Sequence, residues 1–350
     1  MRSIKGATNK IITVIAVSAS IFQLYTAGWG VFEPRLQRSI HLFFLLPLAF
    51  LLFPATKKSP KDKPTLLDIV LAILAVAVNL LIIIECERLN LRWEHVAPLL
   101  PRELVLGTIA IFLIIEATRR VVTPVLAILA IGFILYLPLG PYMPGLLAHG
   151  GFSYSRIVEL FYLLSDEGIY GIMTGVSATY VFLFVLFGAF ILNTGTGTFI
   201  INLATRLAGR ARGGPAKIAV LGSGLFGTIT GVATANVYTT GSFTIPMMKK
   251  LGYKPQFAGA VEAAASTGGQ YMPPIMGAAA FVMAEITGIS YIKIAISAFL
   301  SAVLYYLAVG FMVHFEAVKL GLKGISKKEM PSLKRIFRQS YLIIPILILS

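Results

Sequence analysis

The chain has 350 residues, of which 57% are hydrophobic and 13% charged, a balance that excludes an ordinary soluble domain. Its 30 Lys and Arg against 15 Asp and Glu give a formal net charge of +15, but the basic residues gather in short loops between apolar runs. Orientation in a bilayer accounts for them, and nucleic acid is not needed as a partner.

The segment Met1 to Lys10 leads into an apolar run of spanning length with no small-residue cleavage site, so the first span is expected to stay in the protein. Apolar runs follow at Ile11 to Gly30, Ser39 to Phe53, Leu66 to Ile84, Leu104 to Ile115, Val121 to Leu139 and Ile169 to Leu192, and later at Phe257 to Met283 and Tyr291 to Phe315. If the terminus bearing Arg2, Lys5 and Lys10 is cytoplasmic, one topology puts every strongly basic loop on that side. These loops are Lys57 to Lys63, Arg119-Arg120, Arg206 to Lys217, Lys249 to Lys254, and the tail with Lys319, Lys323, Lys327, Lys328, Lys334, Arg335 and Arg338. The acidic loop Glu85 to Glu103 and the Pro/Gly segment Gly140 to Gly151 then fall outside. Three regions result: four spans over 1–120, a connecting span with its external segment over 121–165, and a third unit over 166–350. The run Tyr341 to Ser350 reads as the opening of a further span that is cut short; an amphipathic surface helix is the other reading.

The third unit holds the Gly, Thr and Ser. Between Ile218 and Met248 lie about 31 uncharged residues with basic loops at both ends. Two crossings of about 20 residues each need more chain, and a single crossing would break the charge bias. A re-entrant hairpin satisfies both, with Gly227 to Gly241 as its oxygen-rich middle, and such backbone survives at membrane depth where it lines a protein cavity. The second interruption is Glu262 to Gly277. Pro273 and Pro274 lack amide protons and disfavour helix before them, so two half-helices are expected, with Ser266 and Thr267 beside the carbonyls that end the first. A simple proline kink is the alternative. Glu262 lies a turn or two inside its span, where an acid is a functional suspect, with anchoring at the helix end preferred over coupling.

Other patterns carry no chemistry. Gly222-Ser-Gly-Leu-Phe-Gly227 matches a dinucleotide fingerprint but lacks the strand and the acidic residue that motif needs, so close helix packing explains it. The four histidines, His41, His95, His149 and His314, have no ligand spacing, and no hydrolase or zinc motif occurs. No catalytic residues, no cofactor and no metal centre are assigned.

At these residues the sequence resembles the membrane component of the tripartite ATP-independent periplasmic (TRAP) transporters, in the form that fuses the small and large membrane subunits. The resemblance rests on Val181 to Phe190, Gly213 to Lys217, Ile229 to Asn236, Thr240 to Pro246, Gly252-Tyr253 and Glu262 to Ala280. It implies an all-α polytopic membrane protein, a helical bundle whose third unit is the first half of an inverted-repeat, elevator-type transport domain with a re-entrant hairpin and a broken helix. It also implies uptake, across the cell's cytoplasmic membrane, of a small solute such as an organic acid, driven by a Na⁺ gradient and delivered by an extracytoplasmic solute-binding protein. A second chain could supply the other repeat.

The family's hairpin-tip pattern falls on Thr230, Gly231, Ala235 and Asn236, and its broken-helix pattern on Ser266, Thr267, Gly268, Gly269, Pro273 and Pro274. Val232 stands where a second hydroxyl is common and Thr234 where the family is usually apolar. The candidate Na⁺ ligands are therefore Thr230, Gly231, Thr234, Asn236, Ser266, Thr267, Gly268 and Gln270, and the candidate substrate or coupling residues are Glu262, Gly269, Pro273 and Pro274. A channel and a purely structural or docking subunit are the rival readings.

Overall fold

The computed structural model of the chain describes residues 2–326 and 330–344; Lys327, Lys328 and the last six positions of the expected terminal span lie outside them. Regular structure among the described residues is helical throughout. The chain divides into two compact units, Met1–Thr179 and Tyr180–Ser350. Six helical stretches among the described residues are long and apolar enough to cross a membrane.

The first unit contains α1 (Ala7–Trp29), α2 (Pro34–Leu52), α3 (Leu66–Ile84), a short α4 (Cys86–Leu91), α5 (Pro101–Val121) and α6 (Pro124–Leu139), followed by α7 (Tyr154–Val158) and α8 (Ile172–Val176). Helix α3 has the bounds read from the sequence. It starts where Thr65 and Asp68 form a capping box, with Thr65 N donating to Asp68 Oδ2 at 2.8 Å. Helix α5 takes Val121, which the apolar pattern had given to the next span. The register changes because Thr123, extended at φ −152°, precedes Pro124. Phe50, Leu71, Ala75, Val78, Ile82 and Leu113 form the core of this unit, and Tyr162 and Tyr170 reach it by donating to Val78 O at 2.6 Å and Asn79 Oδ1 at 2.9 Å.

Charged side chains gather at the two ends of this bundle. At one, buried Arg2 pairs with Asp68 at 2.6 Å and donates to Pro60 O, while Arg120 pairs with Asp68 at 2.6 Å and with Glu116. Arg2, the 57–63 loop and Arg119-Arg120 thus belong to one end. At the other, Glu85 and Glu103 meet Arg88, and Glu159 meets Arg92 and Arg156. Cys86 sits at that end with its thiol on Glu33 Oε2 at 3.0 Å; burial first, then Glu33, pushes the thiol up to about 11.

The second unit contains α9 (Phe182–Asn193), α10 (Thr196–Ala208), α11 (Gly214–Thr230), α12 (Ala233–Leu251), α13 (Pro255–Gly268), α14 (Ala278–Thr287), α15 (Tyr291–Lys319) and α16 (Leu333–Arg338). Helix α10 is absent from the sequence reading. Its buried face, Thr196, Phe199, Ile200, Ala204 and Ala208, keeps helical spacing, but the glycines and threonines at its start hide that period. Small residues, Ala216, Ala219, Ala258, Ala265 and Ala317, let α11, α12, α13 and α15 pack closely around Met248, Val261 and Val313.

Candidate functional site

The hairpin read from the sequence is a pair of helices joined by two residues. Helix α11 ends because Gly231 takes a left-handed φ of 58°, a conformation that suits glycine, with its N–H on Gly227 O at 3.1 Å. Val232 is extended, and α12 begins one residue later. The interrupted helix is present too: α13 stops at Gly268, α14 starts at Ala278, and Gly277 N closes the intervening loop on Gln270 O at 2.9 Å. A proline kink within one continuous helix is excluded by the length of that gap.

The two interruptions meet. A Cβ on Gly231 would strike Met276 O, and one on Gly269 would come 2.8 Å from Gly227 Cα and 3.1 Å from Asn236 Nδ2. The glycines of the rejected dinucleotide motif serve this packing: Gly222 faces Ile201, Gly224 the Tyr306 ring, and Gly227 the Gly269 backbone. Three tyrosines of α15 secure the break from the other side. Tyr305 and Tyr306 donate to Ala264 O and Ala265 O, each at 2.8 Å, and Tyr291 donates to Pro274 O at 2.8 Å. Of these carbonyls, Ala265 O is one that the end of α13 leaves open, and Pro274 O belongs to the loop that follows it.

The carbonyls expected to be free at the break are therefore partly used. Ser266 O, Thr267 O, Gly268 O and Gly269 O accept the amides of Gly269, Gln270, Tyr271 and Met272, because the chain leaves α13 through tight turns. Each retains a second lone pair.

Glu262 corrects the sequence reading most. Anchoring at the helix end, towards the interface or a lysine, is not what the structure has. Its side chain turns into the bundle and is fully buried. Oε1 accepts from Ser223 Oγ at 2.9 Å and Ser266 Oγ at 3.1 Å and is also bonded by Thr240 Oγ1, and Oε2 is bonded by Thr244 Oγ1. Asn236, itself buried, donates from Nδ2 to Ser223 O at 2.8 Å. Ser223, Thr240 and Thr244 were missed in the sequence. Their signal is the four-residue spacing of Asn236, Thr240 and Thr244 on one helix face, repeated by Glu262 and Ser266 on the next.

The remaining candidates fall into two groups. Thr230 is buried and bonds back to Phe226 O at 3.3 Å; Gly268 lies under the rings of Tyr305 and Tyr306; Pro273 and Pro274 are half-buried. Thr234, Thr267 and Gln270 are exposed, with Thr267 Oγ1 on Ala263 O at 2.8 Å. The structure thus brings Ser266 onto Glu262, sets Asn236 between Thr240 and Gly269, and leaves Thr234, Thr267 and Gln270 exposed. Gln270 lines a cavity of about 740 Å³ beside the break, with Tyr271, Gly277, Lys293 and Ser297. Lys293, on α15, brings a cation to this cavity from outside the hairpin.

Apolar helices of spanning length, with a helical hairpin docked on an interrupted helix, define a multi-pass membrane protein of transporter type. Residues 109–350 match the model of the tripartite ATP-independent periplasmic transporter, DctM component, and the chain belongs to that family. It is 33% identical over 112 residues to the C4-dicarboxylate TRAP transporter large permease protein DctM of Pseudomonas aeruginosa, covering 32% of this chain and 26% of that one. It is 30% identical over 170 residues to the sialic acid TRAP transporter permease protein SiaT of Haemophilus influenzae, covering 48% and 27%. The isethionate TRAP transporter permease protein DctMQ of Oleidesulfovibrio alaskensis is 35% identical over 91 residues, covering 26% and 14%. The matched stretches span about a third or less of these relatives' own lengths. The relatives are transport permeases rather than enzymes.

Proposed function

We propose that the chain is the permease component of a tripartite secondary transporter that takes up a small organic acid, handed over by an extracytoplasmic solute-binding protein and driven by a Na⁺ gradient. The observation that carries this reading is the docking of the hairpin tip, Gly231, on the break at Met276 and Gly277, which joins two irregular backbone segments in one place. Interrupted helices of this kind are how transporters expose ligand oxygens and half-helix ends to solute and ion. The cavity beside the break adds Lys293, an ammonium suited to a carboxylate. Sodium is assigned to the oxygens of Thr230, Gly231, Thr234 and Asn236 with those of Ser266, Thr267, Gly268 and Gln270.

The N-terminus is placed in the cytoplasm, residues 1–120 act as scaffold, 121–165 connect, and 166–350 form one repeat of the transport domain. A second repeat, on the same or another chain, completes the cavity. The test is solute uptake by the transporter carrying both repeats, reconstituted with its binding protein. Saturable uptake that follows the sodium gradient is expected, with Thr267→Val and Asn236→Leu raising half-saturating sodium and Thr205→Val leaving it unchanged. Unitary currents instead of saturable uptake would favour the channel reading.

A further inference from the structure

Among the described residues, no Lys, Arg or His forms an ion pair with the carboxylate of Glu262. It is fully buried, and the partners of its two oxygens among the described residues are the hydroxyls of Ser223, Thr240, Thr244 and Ser266. A buried ion left in this state is costly unless a charge of opposite sign joins it. The four hydroxyls, drawn from three helices, converge on its two oxygens as donors. A hydroxyl is not committed to donating, however. It rotates, and turns its lone pairs to a cation placed among them.

We propose that Glu262, with Ser223, Thr240, Thr244 and Ser266, forms a buried site for one monovalent alkali cation, separate from the exposed oxygens of Thr234, Thr267 and Gln270. Asn236 Oδ1, 3.3 Å from Thr240 Oγ1, adds a further oxygen at its edge. The donor set is hard oxygen throughout and carries one negative charge. That matches a single positive charge, whereas calcium sites collect several carboxylates and magnesium keeps most of its water. Gly241 leaves room for the side chain to reach the centre, since a Cβ there would lie 3.0 Å from Glu262 Cγ.

The ligands come from α11, α12 and α13: both arms of the hairpin and the first half of the broken helix. A cation in this cage would hold the three together, and by linkage any movement of the hairpin against α13 would alter its affinity. The inference takes its ion, sodium, from the function proposed above, and adds a second place where that ion binds.

The experiment is equilibrium binding of radioactive sodium to the purified protein in detergent, at constant ionic strength set with choline chloride. Saturable binding is expected, with loss of the cage's share in Glu262→Gln and several-fold weaker binding at the cage in Ser223→Ala and Thr244→Val, which keep the carboxylate. Thr267→Val should lose only the share held at the tip and break. Binding in Glu262→Gln equal to the wild type overturns the cage; if Thr267→Val then abolishes binding, the sodium reading stands without it. Absence of sodium binding from every form, wild type included, overturns both. Should Glu262→Gln fail to fold, unchanged affinity in both hydroxyl variants overturns the cage by itself.

Discussion

Gly241 and Glu262 are in contact across the α12–α13 interface, and the absence of a side chain on the first creates the place for the second. A Cβ at 241 would fall 3.0 Å from Glu262 Cγ and 3.3 Å from Ile245 Cδ1, so a side chain held by hydroxyl bonds would have to shift by a few tenths of an ångström. Gly241→Ala should therefore destabilise the second unit by about 1–3 kcal/mol, the usual cost of overpacking. Gly259→Ala is the control. That glycine is helical with open space around it, so its replacement should be neutral or slightly stabilising. Thermal unfolding of both variants in the same detergent checks the contrast.

The Arg2–Asp68–Arg120 cluster holds the N-terminal residues onto the first bundle with side chains fully out of solvent. Arg2→Ala removes one of two cations from a buried carboxylate, and such one-sided removals cost about 3 kcal/mol. The expected outcome is a lower melting temperature and faster proteolysis of the first residues. Arg119→Ala, at a half-exposed pair with Glu116, should change stability by less than about 1 kcal/mol.

Ala211 and Lys250 are both exposed near the open end of the hairpin. In a Cys86→Ser background, a cysteine at either position should be shielded from an impermeant thiol reagent added outside intact cells and labelled once the cells are opened. Labelling of either from outside, with cytoplasmic controls silent, removes the proposed topology.

Cys86 should be a slow nucleophile. Burial and the Glu33 carboxylate raise its thiol to about 11, so only a small fraction is thiolate at neutral pH, and reactivity should climb with pH into the alkaline range. Glu33→Gln removes the negative charge that opposes deprotonation. The thiol should then ionise at lower pH, and alkylation at pH 8 should speed up by several-fold, read by mass spectrometry.

Much of the fold was legible in the sequence because its signals are local. The bounds of α3 follow from an apolar run and the Thr65–Asp68 box next to it. The turn at Gly231 and the gap after Gly268 follow from glycine's access to left-handed backbone and from prolines that cannot continue a helix. None of these requires knowledge of a distant neighbour. Helix α10 escaped for the converse reason: its period is weak locally, and it is helical because Phe199, Ile200 and Ala204 find partners on α11.

The site divides in the same way. Sequence alone determined that the hairpin and the break exist and that Glu262 is an unusual acid; it could not determine which way that acid points. On one helix, Glu262 sits near an end with lysines in sight, and anchoring is the reasonable reading. Only tertiary structure places Ser223, 39 residues away, Thr240 and Thr244 around it, because the direction of a side chain depends on which helices pack against its face. Spacing along one helix shows that several hydroxyls share a face. Whether that face meets lipid, water or a carboxylate is settled by packing between helices far apart in the chain, and that packing turns a polar stripe into a cage.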